Sequence, residues 1–242
     1  MLRVIIGTQP NQFVPQRVLE YTIRKHSSAE VDVRPVFQQR ESMGGTKFGY
    51  VRFCVPQICD YDGVNIYLDA DQLVLDDIHQ LAKELDDSHA VGCVRNIEGT
   101  FGGKPVPERN ETSVMVLDCA KLRNWDPATL FEHIVPNKLE PKNGEIRYRD
   151  FMRLAWFDQS LIQAIDPRWN HYNVVRDDSK LIHFSHVREQ PWKQPKHPLR
   201  EYWEQWLKES IKEGFLSRWD IFKAIARGHL HPSYLRHALP QS

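Results

Sequence analysis

Short, nearly all-apolar runs recur through the first three-quarters of the chain, separated by stretches whose apolar residues fall three or four positions apart. Val4 to Ile6 is the first run, closed by Gly7-Thr8, and Arg17 to Lys25 then places Val18, Leu19 and Ile23 at helical spacing. Val31 to Phe37 reads as a second strand, and Val64 to Leu68, Ala90 to Val94, Val114 to Leu117 and Leu181 to Phe184 read as further ones. Runs with so little polar alternation suit strands covered on both faces. Asp76 to Leu85 and Phe157 to Ile165 carry helical spacing between them. Strands alternating with helices predict an α/β fold around a mixed, mostly parallel sheet. No internal repeat is present.

Three polar stretches read as loops: 38–47 with Gly44-Gly45, 96–110 with Gly99, Gly102 and Gly103, and 136–149 with its dense mixture of charges. Loops of this length in folded domains often carry function. After Pro191, Pro195 and Pro198, the run from Leu199 to Gly228 sets Trp203, Trp206, Leu207, Ile211, Phe215, Trp219, Phe222 and Ile225 mostly at helical spacing. It predicts a helical hairpin broken at Gly214, and hence a main domain over 1–192 with a helical extension over 193–242 packed on it. Its interleaved aromatic and basic residues also suit a peripheral membrane face.

The chain has 242 residues with 32 basic and 32 acidic side chains, so its formal charge is zero and no overall basic field exists to hold nucleic acid. Its four cysteines (Cys54, Cys59, Cys93 and Cys119) lack a Cys-x-x-Cys spacing, which argues against a disulfide framework or a structural zinc site and favours a reducing compartment. The apolar run at the N-terminus is too short for a signal-peptide core, and no stretch is long enough to span a bilayer. A cytoplasmic location is the resulting expectation.

The segment richest in chemistry is Asn65-Ile66-Tyr67-Leu68-Asp69-Ala70-Asp71, an apolar strand that runs into two acids one residue apart. On an extended chain, side chains at i and i+2 project to the same side, so Asp69 and Asp71 can offer oxygens to one hard divalent cation such as magnesium or manganese. A cation held there would bridge to substrate phosphates. An acidic turn after an edge strand is the plainer account of the same pattern.

The segment Ile66-Tyr67-Leu68-Asp69-Ala70-Asp71 resembles the Asp-x-Asp signature of glycosyltransferase family 8, the family of glycogenin and bacterial galactosyltransferases. Other segments agree in order. Gly7-Thr8 resembles the family's nucleotide-binding start, Tyr50-Val51-Arg52-Phe53 with Pro56 its arginine helix, and Thr112-Ser113-Val114-Met115-Val116-Leu117-Asp118 its donor-sugar loop and following strand. Phe157-Asp158-Gln159-Ser160-Leu161 resembles its Asp-Gln pair opening a helix, and His183-Phe184-Ser185 with Pro191-Trp192 its C-terminal metal-histidine segment. The resemblance covers about residues 2 to 192 and implies a GT-A-like fold. It implies that Asp69, Asp71 and His183 hold manganese or magnesium against the diphosphate of a nucleotide sugar, uridine diphosphate first. Gly7, Thr8, Arg52, Ala70, Thr112 and Ser113 are then placed along the donor, and Asp158 and Gln159 at the reacting sugar. Transfer with retention of anomeric configuration to a carbohydrate, lipid-linked or protein hydroxyl is the implied reaction. Taken without the family, His183 is more simply a satisfied core histidine, Arg52 a solvated helix residue and Asp158 a helix cap.

Departures from the family pattern are also present. Glu111-Thr112-Ser113 stands where the family commonly has Asn-Ala-Gly, and the usual glycine and phosphate-binding lysine are replaced within His183-Phe184-Ser185-His186-Val187-Arg188-Glu189-Gln190-Pro191-Trp192. Arg188 is the candidate for the missing positive charge, although a guanidinium does not substitute for an ammonium automatically. Two other function classes stay open. A haloacid-dehalogenase-type phosphatase also uses Asp-x-Asp after an apolar strand, and Asp177-Asp178 could imitate its late acids, but that family opens with the strand in question. A non-catalytic nucleotide-sugar-binding protein is the other, motivated by the departures. Met43-Gly44-Gly45-Thr46-Lys47 is a phosphate-loop candidate of low specificity.

Overall fold

The computed structural model describes residues 1–37, 48–101 and 103–239. Its strands are β1 (Leu2–Gly7), β2 (Val31–Val36), β3 (Val64–Asp69), β4 (Gln72–Val74), β5 (Val91–Val94), β6 (Thr100–Phe101), β7 (Lys104–Pro105), β8 (Glu111–Asp118), β9 (Ile134–Val135), β10 (Ile146–Arg147), β11 (Ile162–Ala164), β12 (His171–Tyr172) and β13 (Leu181–His183). The α-helices are α1 (Phe13–His26), α2 (Val51–Ile58), α3 (Ile78–Ala82), α4 (Pro127–Leu130), α5 (Tyr148–Met152), α6 (Arg200–Lys212), α7 (Arg218–Ala226) and α8 (Leu235–Ala238).

Six strands form the central sheet in the order β11-β5-β8-β3-β1-β2, and only β8 runs against the rest. Alternate side chains feed two separate cores, as the two-residue repeat of a strand requires. Ile5, Tyr67 and Met115 point to the face covered by α2 and by Trp125, Phe131 and Phe151. Val4, Ile6, Ile66, Leu68, Val114 and Val116 point to the other face, covered by Leu19 and Ile23 of α1 and by Ile78 and Leu81 of α3. This double coverage is why the strands read as unbroken apolar runs. The expected mixed, mostly parallel α/β sheet is therefore the sheet observed.

A smaller sheet, β12-β13-β4, lies beside the large one. Its Leu73, Ile182 and Phe184 pack with Val14 and Val18 of α1 and with Trp192, Trp203, Leu207, Leu216 and Ile221. Thus α6 and α7 cover the small sheet. The turn between them uses Gly214 at φ +74°, a backbone conformation that favours glycine, and α7 opens with a Ser217/Asp220 capping box. The hairpin also leaves Trp219 and Phe222 exposed, stacked on each other.

Two predicted helices need correction. The expected helix from Asp76 to Leu85 shortens to α3, capped by Asp77. That from Phe157 to Ile165 does not form: Asp158 caps a single 3-10 turn over Gln159–Leu161, and Ile162 then pairs with Val91 on the edge of the large sheet. A short apolar run is compatible with either state, and here the open backbone groups of β5 decide it. The expected loops at 96–110 and 136–149 contain the β6-β7 ribbon and β10, whereas 38–47, with the Met43-to-Lys47 phosphate-loop candidate, lies outside the described residues.

Trp203 is fully buried with its ring 5.2 Å from that of Trp192. Trp203→Ala removes a large buried side chain and is expected to destabilise the fold by ~3–5 kcal/mol. At ~2–4 °C per kcal/mol for a chain of this size, the melting midpoint should fall by roughly 6–20 °C in a calorimetric scan. An unchanged midpoint would show that the C-terminal helices do not support the rest of the chain.

Candidate active site

The Asp69-Ala70-Asp71 segment is the passage from one sheet to the other. β3 ends at Asp69, the Ala70 N–H donates to the Gly7 carbonyl at 3.1 Å, and Gln72 then opens β4. Antiparallel pairing of β4 with β13 sets His183 opposite Gln72, and the Phe184 N–H donates to the Asp71 carbonyl at 2.9 Å. Residues far apart in sequence are thereby fixed by backbone bonds. One ligand atom each from Asp69, Asp71 and His183 lie within 4.8 Å of one another, and all three residues are buried.

Each member has its own support. The Arg52 Nη2 donates to both Asp69 oxygens at 2.8 and 3.1 Å, and the Tyr67 hydroxyl donates to Asp69 Oδ1 at 2.6 Å. Arg52 Nη1 donates to Thr112 Oγ1 at 2.7 Å, which itself donates to the Met152 carbonyl at 2.7 Å. Gln190 Nε2 donates to Asp71 Oδ2 at 2.8 Å, while Asp71 Oδ1 is buried without a hydrogen-bond partner among the described residues, 3.3 Å from His183 Nε2. Asn170 donates through Nδ2 to Ser113 Oγ at 3.0 Å, so its Oδ1 accepts from His183 Nδ1 at 3.2 Å. With Nδ1 protonated, the neutral imidazole presents its lone pair at Nε2, toward the cluster.

Burial raises Asp69 above the ordinary carboxylate range, aided by the Asp71 charge and opposed by Arg52 and His183. Burial disfavours the charged His183 ring, yet the Asp71 carboxylate and then the Asp69 charge outweigh it, so His183 titrates above its ordinary value. Two carboxylates and an imidazole nitrogen, with one buried oxygen left unpartnered, fit a divalent cation. Asp69, Asp71 and His183 line a cleft of about 390 Å³ together with Arg52, Thr112, Ser113, Tyr172 and three further arginines, Arg109, Arg149 and Arg153.

Other expected site residues divide. Gly7 and Ala70 sit at the strand ends beside Asp69, and Thr8 is buried with its hydroxyl unpartnered among the described residues. A Cβ on Gly7 would stand 2.2 Å from the Tyr67 hydroxyl oxygen, so glycine there keeps the Tyr67–Asp69 bond. By contrast, Asp158, Gln159 and Arg188 are exposed and outside the cleft lining. Asp158 accepts from the Ser160 N–H at 2.9 Å as a cap, and Gln159 donates to the Leu154 and Phe157 carbonyls at 2.7 and 2.8 Å. Among the described residues, the positive side chains lining the cleft are Arg52, Arg109, Arg149 and Arg153. The sequence marks Gln190 only as a departure from the family pattern and does not single out Tyr67, Asn170 or the three further arginines, although Arg109 and Arg149 fall in loops notable for their length and charge.

No protein-family model matches the chain. It is 25% identical over 218 residues to Protein CDI of Arabidopsis thaliana, covering 78% of this chain and 79% of that protein. Among solved structures, the WbbM bifunctional glycosyltransferase superposes with a TM-score of 0.62 at 12% identity, covering 85% of this chain and 49% of WbbM, so the chain spans about half of that protein. The galactosyltransferase LgtC, solved with donor and acceptor sugar analogues, superposes with a TM-score of 0.59 at 13% identity over 89% of this chain and 100% of LgtC. At these identities the likeness is one of architecture. This chain has the GT-A glycosyltransferase fold.

A cation bound by this cluster would compete with a proton at His183, whose charged form Asp71 and Asp69 favour, so its binding should release a proton and strengthen as pH rises through neutrality. Calorimetric titration with manganese should give a weaker affinity at pH 6 than at pH 8. His183→Ala should weaken binding and flatten that dependence, and an equal affinity at both pH values in the native protein would remove His183 from the ligand set.

Proposed function

We propose that this chain is a metal-dependent glycosyltransferase that moves a hexose from a nucleotide diphosphate sugar, uridine diphosphate first, to a hydroxyl of a carbohydrate, lipid-linked or protein acceptor. The observation that carries the proposal is the buried Asp69/Asp71/His183 cluster at the sheet crossover of a GT-A fold, opening onto a cleft. When bound there, manganese or magnesium supplies positive charge where the departing diphosphate gathers negative charge. Asp69 and Asp71 provide oxygens at strand ends whose backbone is locked, so little reorganisation accompanies the reaction. Arg52 and Tyr67 favour the ionised form of Asp69 against the cost of its burial and orient its carboxylate. Thr8 offers its unpartnered hydroxyl to the nucleotide, and the Thr112-Ser113 segment flanks the donor sugar. The family-8 resemblance adds retention of configuration, with the leaving phosphate taking the acceptor's proton.

A phosphatase with an aspartyl nucleophile would need Asp69 free to attack, but Arg52 and Tyr67 both hold its carboxylate. For Asp158 and Gln159 to reach the sugar, the 153–159 turn has to rearrange when the donor binds, because Gln159 now ties Leu154 and Phe157 together.

Uridine diphosphate with manganese should stabilise the protein as a linked pair. At ~100 times the dissociation constant the gain is ~2.7 kcal/mol, or roughly 5–10 °C in the melting midpoint, with either component alone giving much less. Asp69→Asn should abolish the synergy, and Asp71→Asn should reduce metal-dependent donor turnover by orders of magnitude without unfolding the chain. A melt that responds to manganese and inorganic phosphate but to no nucleoside diphosphate would favour the phosphatase. Binding without any turnover would favour the non-catalytic nucleotide-sugar-binding protein. Gln159→Ala should lower kcat for donor hydrolysis more than it weakens uridine diphosphate binding; equal losses would confine Gln159 to its structural tie.

A further inference from the structure

Three arginines line the cleft from two adjoining segments: Arg109 ahead of β8, and Arg149 and Arg153 within and just after α5. Asn110 joins the segments by donating to the Arg153 carbonyl at 3.2 Å. Arg109 is matched by Glu111 at 2.9 Å and Arg149 by its neighbour Asp150 at 3.4 Å. Arg153 has no carboxylate within 4.0 Å among the described residues. Its strongest charged neighbours are Arg109, Arg149, Glu111 and Asp150, and the two acids of the cation cluster are not among them; burial and the two arginines lower its pKa. The next residue, Leu154, is fully buried at φ +61°, a conformation that leucine adopts only under constraint. Arg153 is therefore a half-buried, like-charge-crowded cation at the cleft, with no carboxylate of its own among the described residues.

Tyr172 sets where this group lies relative to the cation cluster. Its ring meets the His183 ring edge-on at 4.8 Å, and its hydroxyl lies beside Arg109. One tyrosine thus spans from the acid end of the cleft to the arginine end. On the glycosyltransferase reading, a diphosphate bound at the acid end would direct its attached sugar toward the arginine end of the same cleft.

We propose that the cleft takes a sugar bearing an oxyanion, a phosphate or a carboxylate, which Arg153 binds with Arg109 and Arg149. The proposal rests on the glycosyltransferase reading and specifies the substrate class of that site. Guanidinium groups converging on one oxyanion give paired, charge-assisted hydrogen bonds, so the preference over the neutral sugar should be large. The anion can reside on the donor sugar or on the acceptor.

Two paired comparisons distinguish these sources. For the donor, uridine diphosphate glucuronate is titrated against uridine diphosphate glucose with manganese present. For the acceptor, glucose 6-phosphate is titrated against glucose on protein saturated with manganese and uridine diphosphate. In at least one pair the charged sugar should bind about tenfold more tightly or better. Arg153→Gln should remove that preference while the affinity for uridine diphosphate with manganese stays within about twofold, and Arg153→Lys should restore only part of it. Arg149→Gln, at a more exposed position, should halve the preference or more, and it serves as the reporter should Arg153→Gln melt early. Native protein that shows no preference in either pair overturns the proposal, as does a preference that survives both glutamine variants. An equal loss of uridine diphosphate affinity in Arg153→Gln would mean that the arginines hold the diphosphate, and would overturn it too. Native protein that fails to bind uridine diphosphate with manganese would instead overturn the glycosyltransferase reading beneath it.

Discussion

Two carboxylates buried one residue apart repel each other and lose their hydration, and the structure around them is arranged so that each remains tolerable. Asp69 is compensated by Arg52, a charge brought from α2, and by the Tyr67 hydroxyl from its own strand. Asp71 is compensated by Gln190, and by His183 when its ring carries a proton on both nitrogens. Removing one partner of such a buried pair commonly costs about 3–5 kcal/mol, because the remaining charge stays buried and unpaired. The supports of Asp69 belong to the large sheet and its α2 face. Those of Asp71 belong to the small sheet and the loop after it, so the acids are where two packing units meet.

That placement gives the C-terminal helices a function beyond covering apolar surface. Leu73, Ile182 and Phe184 flank Asp71 and His183 in sequence, and they share a core with Trp192, Trp203, Leu207 and Ile221. Pro191 and Trp192 immediately follow Gln190, and Tyr234 near the C-terminus donates to the Pro191 carbonyl at 3.1 Å. The position of the Asp71 partners is thereby tied to helices that contribute no residue to the cleft lining. Packing is stiff on the scale of a hydrogen bond, so a change in that core would be transmitted to the cluster.

Charge is distributed unevenly along the cleft. At one end acids predominate and Arg52 is occupied by Asp69; at the other, three arginines face two acids. A substrate with a diphosphate bridged by a cation and a second anion further along would complement both ends. Such polarity fixes the direction in which a long ligand lies, since reversing it would set like charges against each other.

Much of the fold was legible in the chain because it follows from local pattern. Apolar runs without alternation marked β1, β3, β5 and β8, as they must when both faces of a sheet are covered, and Gly214 marked the break between α6 and α7. The pair Asp69 and Asp71 at a strand end was visible for the same reason, and the ordered family resemblance added His183. Tertiary structure alone decided the remainder. The run from Phe157 to Ile165 has helical spacing, but pairing with β5 turned its second half into an edge strand and left Asp158 and Gln159 outside the cleft. Arg188 reads as the replacement cation because it is near His183 in sequence, whereas Arg109, Arg149 and Arg153 reach the cleft from segments some 30 to 75 residues before His183. Periodicity records which face of an element is covered. It does not record which distant backbone will complete a sheet, or which distant charge will share a cavity, because those depend on contacts that exist only once the chain is folded.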